Sequence, residues 1–174
     1  MAAMTANFTA GGVLLASALT DALNVHKPLY IQKTADESVI STTVLHDDAE
    51  LVLTLEANVT YELQCHILVD SNTTADFNSS FSGPAGYTSV WMTDGLATSV
   101  AGQEGIISRQ SRVQGDSWPT GGSGASTYGV HRPCGYVTTA GTAGAFRFRW
   151  AQNTSTAVNT FVRAGSWMML RRVV

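Results

Sequence analysis

Charge is scarce in this chain. Asp, Glu, Lys and Arg make up 13% of its 174 residues, against about 25% in an ordinary globular domain. The formal net charge is −3, and no basic stripe runs along the sequence, so the phosphate neutralisation that nucleic-acid binding needs is missing. Arg147, Arg149, Arg163, Arg171 and Arg172 gather near the C-terminus. They fall in alternating segments, where they read as solvent-facing partners of apolar neighbours. No stretch of about 20 apolar residues occurs, so no membrane-spanning helix is expected. The first 25 residues lack a basic start and are broken by Asp21, which is not the pattern of a signal peptide.

Cysteine is nearly absent too. Cys65 and Cys134 are the only two, too few for a disulfide scaffold and without the histidine spacing of a zinc site. A free thiol packed as a small hydrophobe is the expected state. No cofactor fingerprint is present: Walker, dinucleotide and EF-hand patterns are all missing. Gly-x-Ser-x-Gly is missing as well. His26, His46, His66 and His131 stand in no triad-like arrangement. The carboxylates sit mostly in turn-like stretches, where Asp bonds its own backbone. No enzyme activity is expected, and a hydrolase acting on surface polymers has no residue to support it.

What the chain does have is Thr, Ser, Asn, Gly and Ala between apolar residues, with 44% hydrophobic content. Such a chain folds, and its low charge suits surfaces covered by neighbours.

Two regions differ in period. Residues 1–28 form a leader in which Gly11-Gly12 precedes a helical pattern from Val13 to Val25. Leu15, Leu19 and Leu23 recur every four residues on one stripe, and Pro28 ends the pattern. A helix this short is marginal alone, so it is expected to dock on its own domain, on a sister subunit or on a scaffold, and in the last two cases Phe8, Leu15, Leu19 and Leu23 are the assembly contacts.

Residues 29–174 read as a domain of period-two strands. The clearest is 59–70, with Tyr61, Leu63, Cys65, Ile67 and Val69 on one face. Further strands are expected at 29–33, 38–44, 50–55, 77–82, 88–92, 128–138, 146–150, 158–163 and 166–172. Turns are expected at Asp47-Asp48, Glu56–Asn58, Gly83–Gly86, 139–144 and Ala164-Gly165. Residues 94–127, rich in glycine, are expected to form a long exposed excursion, with Ile106-Ile107 marking one strand inside it. Tyr87, Trp118 and Tyr128 flank it and form a candidate ligand surface. The expected fold is all-β, a jelly-roll-like sandwich of about 8–10 antiparallel strands. Its expected core is Leu51, Leu53, Tyr61, Leu63, Ile67, Val69, Phe146, Phe148, Trp150, Phe161, Trp167 and Leu170.

Several patches carry a resemblance. They are Phe8-Thr9-Ala10-Gly11 leading into the leucine stripe, Ala57–Leu63, Gly83-Pro84-Ala85-Gly86 ahead of Trp91, Trp150–Ser155, and Ala164–Val173. In these the chain resembles small virion structural proteins of tailed phages that infect actinobacteria, of the capsid-decoration or minor-tail type. The resemblance implies a homotrimer that docks on the major capsid protein or on tail proteins of the same virion. It implies no cofactor, no nucleic acid and no membrane, and assembly in the bacterial host cytoplasm. A carbohydrate- or receptor-binding module of a tail fibre is the alternative.

Overall fold

The computed structural model describes residues 27–98 and 107–173. The expected leader helix lies outside the described residues, as do Phe8, Leu15, Leu19 and Leu23.

Among the described residues every regular element is a strand. In chain order they are β1 (Leu29–Gln32), β2 (Glu37–Val39), β3 (His46–Leu55), β4 (Thr60–Asp70), β5 (Phe77–Ser82), β6 (Thr88–Leu96), β7 (Ile107–Val113), β8 (Trp118–Thr120), β9 (Tyr128–His131), β10 (Cys134–Thr138), β11 (Gly144–Gln152), β12 (Thr160–Val162) and β13 (Trp167–Arg172). They form two antiparallel sheets, one of nine strands and one of four. The smaller runs β3-β11-β5-β8. The larger runs β1-β13-β4-β10-β6-β7, with β2, β12 and β9 continuing its lines beyond local breaks.

β4 organises the larger sheet because it is long. Its first half pairs with β13 and β10, and its second half with β12 and β9. The breaks in the neighbouring lines have local causes. Pro133 cannot donate to a ladder, and the β9 line steps there into β10, with the Pro133 carbonyl accepting from Cys65 N–H at 2.8 Å. Gly165 takes φ +91° between β12 and β13, a conformation glycine adopts without a steric cost. Both breaks fall at the Pro and Gly signals of the sequence.

Strict alternation on β4 sends Tyr61, Leu63, Cys65, Ile67 and Val69 inward. They meet Phe146, Phe148 and Trp150 of β11 and Phe77 and Phe81 of β5 in one core. Aromatic rings dominate that contact: Phe81 and Phe146 stack with centroids 5.1 Å apart, and Phe81 meets Trp91 edge-on at 5.1 Å. Such offset or edge-on pairs each contribute about 0.5–1.5 kcal/mol beyond their buried area.

Two expected core residues, Phe161 and Trp167, stand elsewhere and are only partly buried, while Leu53, also partly buried, packs against the core. On β13 Met168 and Leu170 point inward and Trp167 and Met169 outward, so Leu170 lies in the core as expected and Trp167 does not. A strand apolar on both faces cannot be phased by hydropathy alone.

Two expected local structures also differ. Asp47-Asp48 is not a turn but part of β3, at a bulge where the register against β11 shifts between Arg147 and Arg149. The bulge turns Asp48 inward, where it meets the buried Lys33. Residues 94–127 are not one loop. β6 and β7 form a hairpin that widens the larger sheet, and β8 joins the smaller one.

Candidate functional site

The outer face of the larger sheet is set by register. One row of side chains crosses six strands: Tyr30, Met169, Gln64, Cys134, Met92 and Ser111 are successive cross-strand partners. The next row holds Arg171, Glu62, Tyr136, Val90 and Val113. On the other side of the first row, Gln32, Trp167 and His66 are aligned. Because side chains alternate along each strand, all of these point away from the core. Six strands at about 4.8 Å spacing carry such a row across roughly 24 Å.

This face is apolar where a solvated sheet face would be polar. Tyr30, Val90, Val113 and Tyr136 are each more than half exposed, while Met92, Met169 and Trp167 are half-buried among them. Single exposed apolar residues are ordinary. A contiguous set rimmed by polar groups marks an interaction surface. Trp167 stacks on His66 with centroids 5.9 Å apart and planes 8° apart, and Tyr30 tilts against Trp167 at 6.0 Å. A groove of roughly 890 Å³ runs along the face, bounded by Trp167, His66, Gln64, Met92, Cys134 and Tyr136.

Two pairs of opposite charges on the face are satisfied internally. Arg171 bonds Glu62 across the strands, and Arg109 makes a two-armed bond to Asp94. The Arg171 guanidinium, helped by the Gln64 amide, holds the Glu62 carboxyl below the ordinary Glu range. Arg109 does the same for Asp94. Arg132, which also lines the groove, is exposed and has no ion-pair partner among the described residues, so a partner seated here meets one free guanidinium.

Of the sequence-derived ligand surface, Tyr87 and Trp118 belong to the core and only Tyr128 is exposed. The Tyr87 hydroxyl donates to the Phe81 carbonyl at 3.0 Å. Trp118 is 1% exposed, and the Arg112 guanidinium lies over its ring at 4.7 Å. The three do not share a surface. Tyr128 edges a separate small pocket of roughly 330 Å³ with Gly95, Gly121, Ser123 and His131. Cys65 is buried and Cys134 exposed, and both are free. Burial pushes the Cys65 thiol well up. Among the described residues no cluster of His, Cys, Asp and Glu could hold a metal ion, and no helix is long and apolar enough to cross a membrane.

The signal for the face was present as runs rather than as alternation. Trp167-Met168-Met169-Leu170 and Val90-Trp91-Met92 are apolar at consecutive positions, the pattern of a strand with both faces covered.

No family model matches the chain, and no curated protein does. Among solved structures, the chain is similar to one in the structure of infectious bursal disease virus Gx strain, with 9% identity and a TM-score of 0.34. That match covers 83% of this chain and 33% of the other. A chain of the Gt strain structure is similar at 9% identity and a TM-score of 0.21, covering 84% of this chain and 41% of that one. The chain thus spans well under half the length of the structures it matches.

Proposed function

We propose that this chain is a structural protein of a virus particle, a capsid-decoration subunit of a tailed phage that assembles as a homotrimer and docks on the virion. The observation that carries the proposal is the largely apolar row across six strands, from Tyr30 through Met169 and Met92, exposed among the described residues. Aromatic residues, Met and Arg are enriched at protein interfaces, and unpaired charge is depleted at their centres. This face has that make-up, and it is too broad to be a small-molecule pocket.

The strand order supports the finer fold reading of a jelly roll. The line of β1 and β2, that of β12 and β13, β4, and that of β9 and β10 are neighbours in one sheet. β3, β11, β5 and β8 are neighbours in the other. Chain order alternates between the two sheets in the jelly-roll manner, with the β6–β7 hairpin as an addition at one edge. Jelly rolls occur in viral capsid and in lectin domains, so the fold does not choose between them. The choice rests on the face and on the sequence resemblance to phage virion proteins. No catalytic role belongs to this reading. Its partners are further copies of the chain and the major capsid or tail proteins of the same virion.

The test is light scattering on the purified full chain, followed by incubation with particles lacking it. A three-copy mass and co-sedimentation with the particles are expected. A monomer that ignores the particles would remove the proposal.

A second reading, a carbohydrate-binding module, is favoured by the flat Trp167–His66 stack beside the Gln64 amide. Glycan binding that disappears in Trp167→Ala would select it.

A further inference from the structure

We infer that a second copy of the chain seats its β7–β8 turn in the groove of the outer face, and that Asp116 of that turn pairs with Arg132 of the copy receiving it. This rests on the reading of that face as the assembly surface.

Register places a cation inside a largely apolar groove. Gln64 pairs with Cys134 and Ile67 with His131, so Arg132 stands opposite His66. His131 is buried, and alternation turns Arg132 outward. Arg132 is exposed and lines the groove with Trp167, Met92 and Tyr136. It makes no ion pair among the described residues, and Asp94 on the same groove is held by both arms of Arg109. A partner that covered this guanidinium without a carboxylate would leave it dry and unpaired, which is costly. The planar fork of arginine takes a carboxylate through two parallel bonds. The occupant of the groove therefore carries a carboxylate beside apolar surface.

The chain itself offers one. Among the described residues, only Asp76 and Asp116 are carboxylates without a cation within salt-bridge distance. Asp76 is buried and accepts the Gly122 N–H at 2.9 Å. Asp116 is exposed in the turn between β7 and β8. Of the other cations without an ion pair, Arg112 lies over the Trp118 ring at 4.7 Å and Lys27 precedes β1. Neither lines the groove.

The turn is held in shape before it meets a partner. The Asp116 N–H donates to the Val113 carbonyl at 3.1 Å, and one Asp116 carboxylate oxygen accepts the Val113 N–H at 3.1 Å. Gly115 takes φ +86° at the tip, and no atom lies within 4 Å of where its Cβ would stand. Val113 at the base of the turn is more than half exposed. A preformed turn loses little freedom on docking. Its apolar Val113 beside an unpaired carboxylate complements apolar groove walls around an unpaired guanidinium. The groove lies in the middle of the sheet and the turn at its β7 edge, so the contact is head-to-tail. Such contacts close into a ring when the rotation permits, and a trimer is such a ring.

A double-mutant cycle read by sedimentation equilibrium of the full chain tests the pair. Arg132→Gln and Asp116→Asn should each weaken assembly roughly thirtyfold or more, the effect of leaving one buried charge without its partner. Asparagine keeps an oxygen for the Val113 N–H, so the turn is preserved. The double variant should assemble no more weakly than either single one, because neither charge then remains to be stranded. Losses that multiply in the double variant, or a loss from one side only, would overturn the pairing. Failure of the underlying reading is distinguishable. If Val90→Asp with Met169→Asp dissolves the assembly while Arg132→Gln and Asp116→Asn leave it intact, the face stands and the turn is not its occupant. If the assembly ignores all of these changes, or if the native chain is a monomer, the face is rejected and the inference falls with it.

Discussion

The Lys33 ammonium stands 2.9 Å from the Asp48 carboxylate, and neither side chain reaches solvent. Around this pair the end of β1 is fastened to β3 and β11. Glu37 bonds the same ammonium at 2.7 Å. Asp48 also accepts the Trp150 indole N–H at 3.0 Å and the N–H groups of Glu50 and Leu51 at 3.0 and 2.9 Å. Burial alone would lower the Lys33 pKa. The bonds to Glu37 and Asp48 outweigh that and raise it above the ordinary lysine value.

Breaking a buried pair from one side costs about 3–5 kcal/mol, because the remaining charge is left dry and unpaired. Asp48→Ala should therefore lower stability to urea by about that much, since it also strands the Trp150 N–H. Lys33→Met should cost a comparable amount, because it leaves the buried Asp48 carboxylate with three neutral donors and no cation. No loss in either variant would contradict the pair as the fastening of β1 to β3.

His131 gives an acid-sensitive step. It is fully buried, and burial pushes its pKa down from 6.5 to about 4. Its contribution to stability is complete above pH 6.5. It falls as the pH drops from about 6.5 to about 4, where only the unfolded chain takes up the proton, and does not change further below that. The shift corresponds to about 3 kcal/mol. Chemical unfolding followed from pH 7 to 4.5 should show this loss in the native chain and a much flatter profile in His131→Gln. Glu37, whose pKa is lowered, adds its own loss at lower pH. Burial pushes that carboxyl up, but the bonds from Lys33 and the Ala49 N–H outweigh it.

Gly135 of β10 sits opposite Trp91 of β6. A Cβ there would lie 2.2 Å from the Val90 carbonyl oxygen and 2.6 Å from the Trp91 Cα. Both are backbone atoms and cannot swing aside. Gly135→Ala should destabilise by about 1–3 kcal/mol, the usual range for overpacking, and should reduce assembly by parting the strands beneath Tyr136 and Val90. Unchanged melting would show that the strands can separate freely.

Trp118 and Trp167 should behave oppositely. Trp118→Ala empties a core site and should cost about 3–5 kcal/mol, so any loss of ligand binding in it reports unfolding. Trp167→Ala removes a ring that faces outward and should cost far less, while weakening whatever contact the face makes. Thermal melts of the two variants check the ordering.

Much of this was legible from residue pattern. β4 could be phased because Tyr61, Leu63, Cys65, Ile67 and Val69 alternate with polar partners, and the breaks at Pro133 and Gly165 are encoded by the residues themselves. β13 could not be phased, because Trp167-Met168-Met169-Leu170 offers two apolar faces. The core position of Trp118 was hidden by its glycine-rich surroundings, which imply a loop, whereas pairing of Ser79 with Trp118 places it in the smaller sheet. The Lys33–Asp48 pair was out of reach of any local signal. It depends on a bulge bringing residue 48 to residue 33, and an Asp-Asp dipeptide in isolation reads as a turn. The docking face needed cross-strand register, which joins residues from Tyr30 to Met169 that no sequence window contains.

The most direct measurement is the solution mass of the full chain carrying Val90→Asp with Met169→Asp, set beside the native chain in sedimentation equilibrium. Both positions are outside the core, so the variant should keep the native near-ultraviolet dichroism while its mass falls from three copies to one. An unchanged mass in a folded variant would contradict the claim that the outer face of the larger sheet is what this protein assembles through.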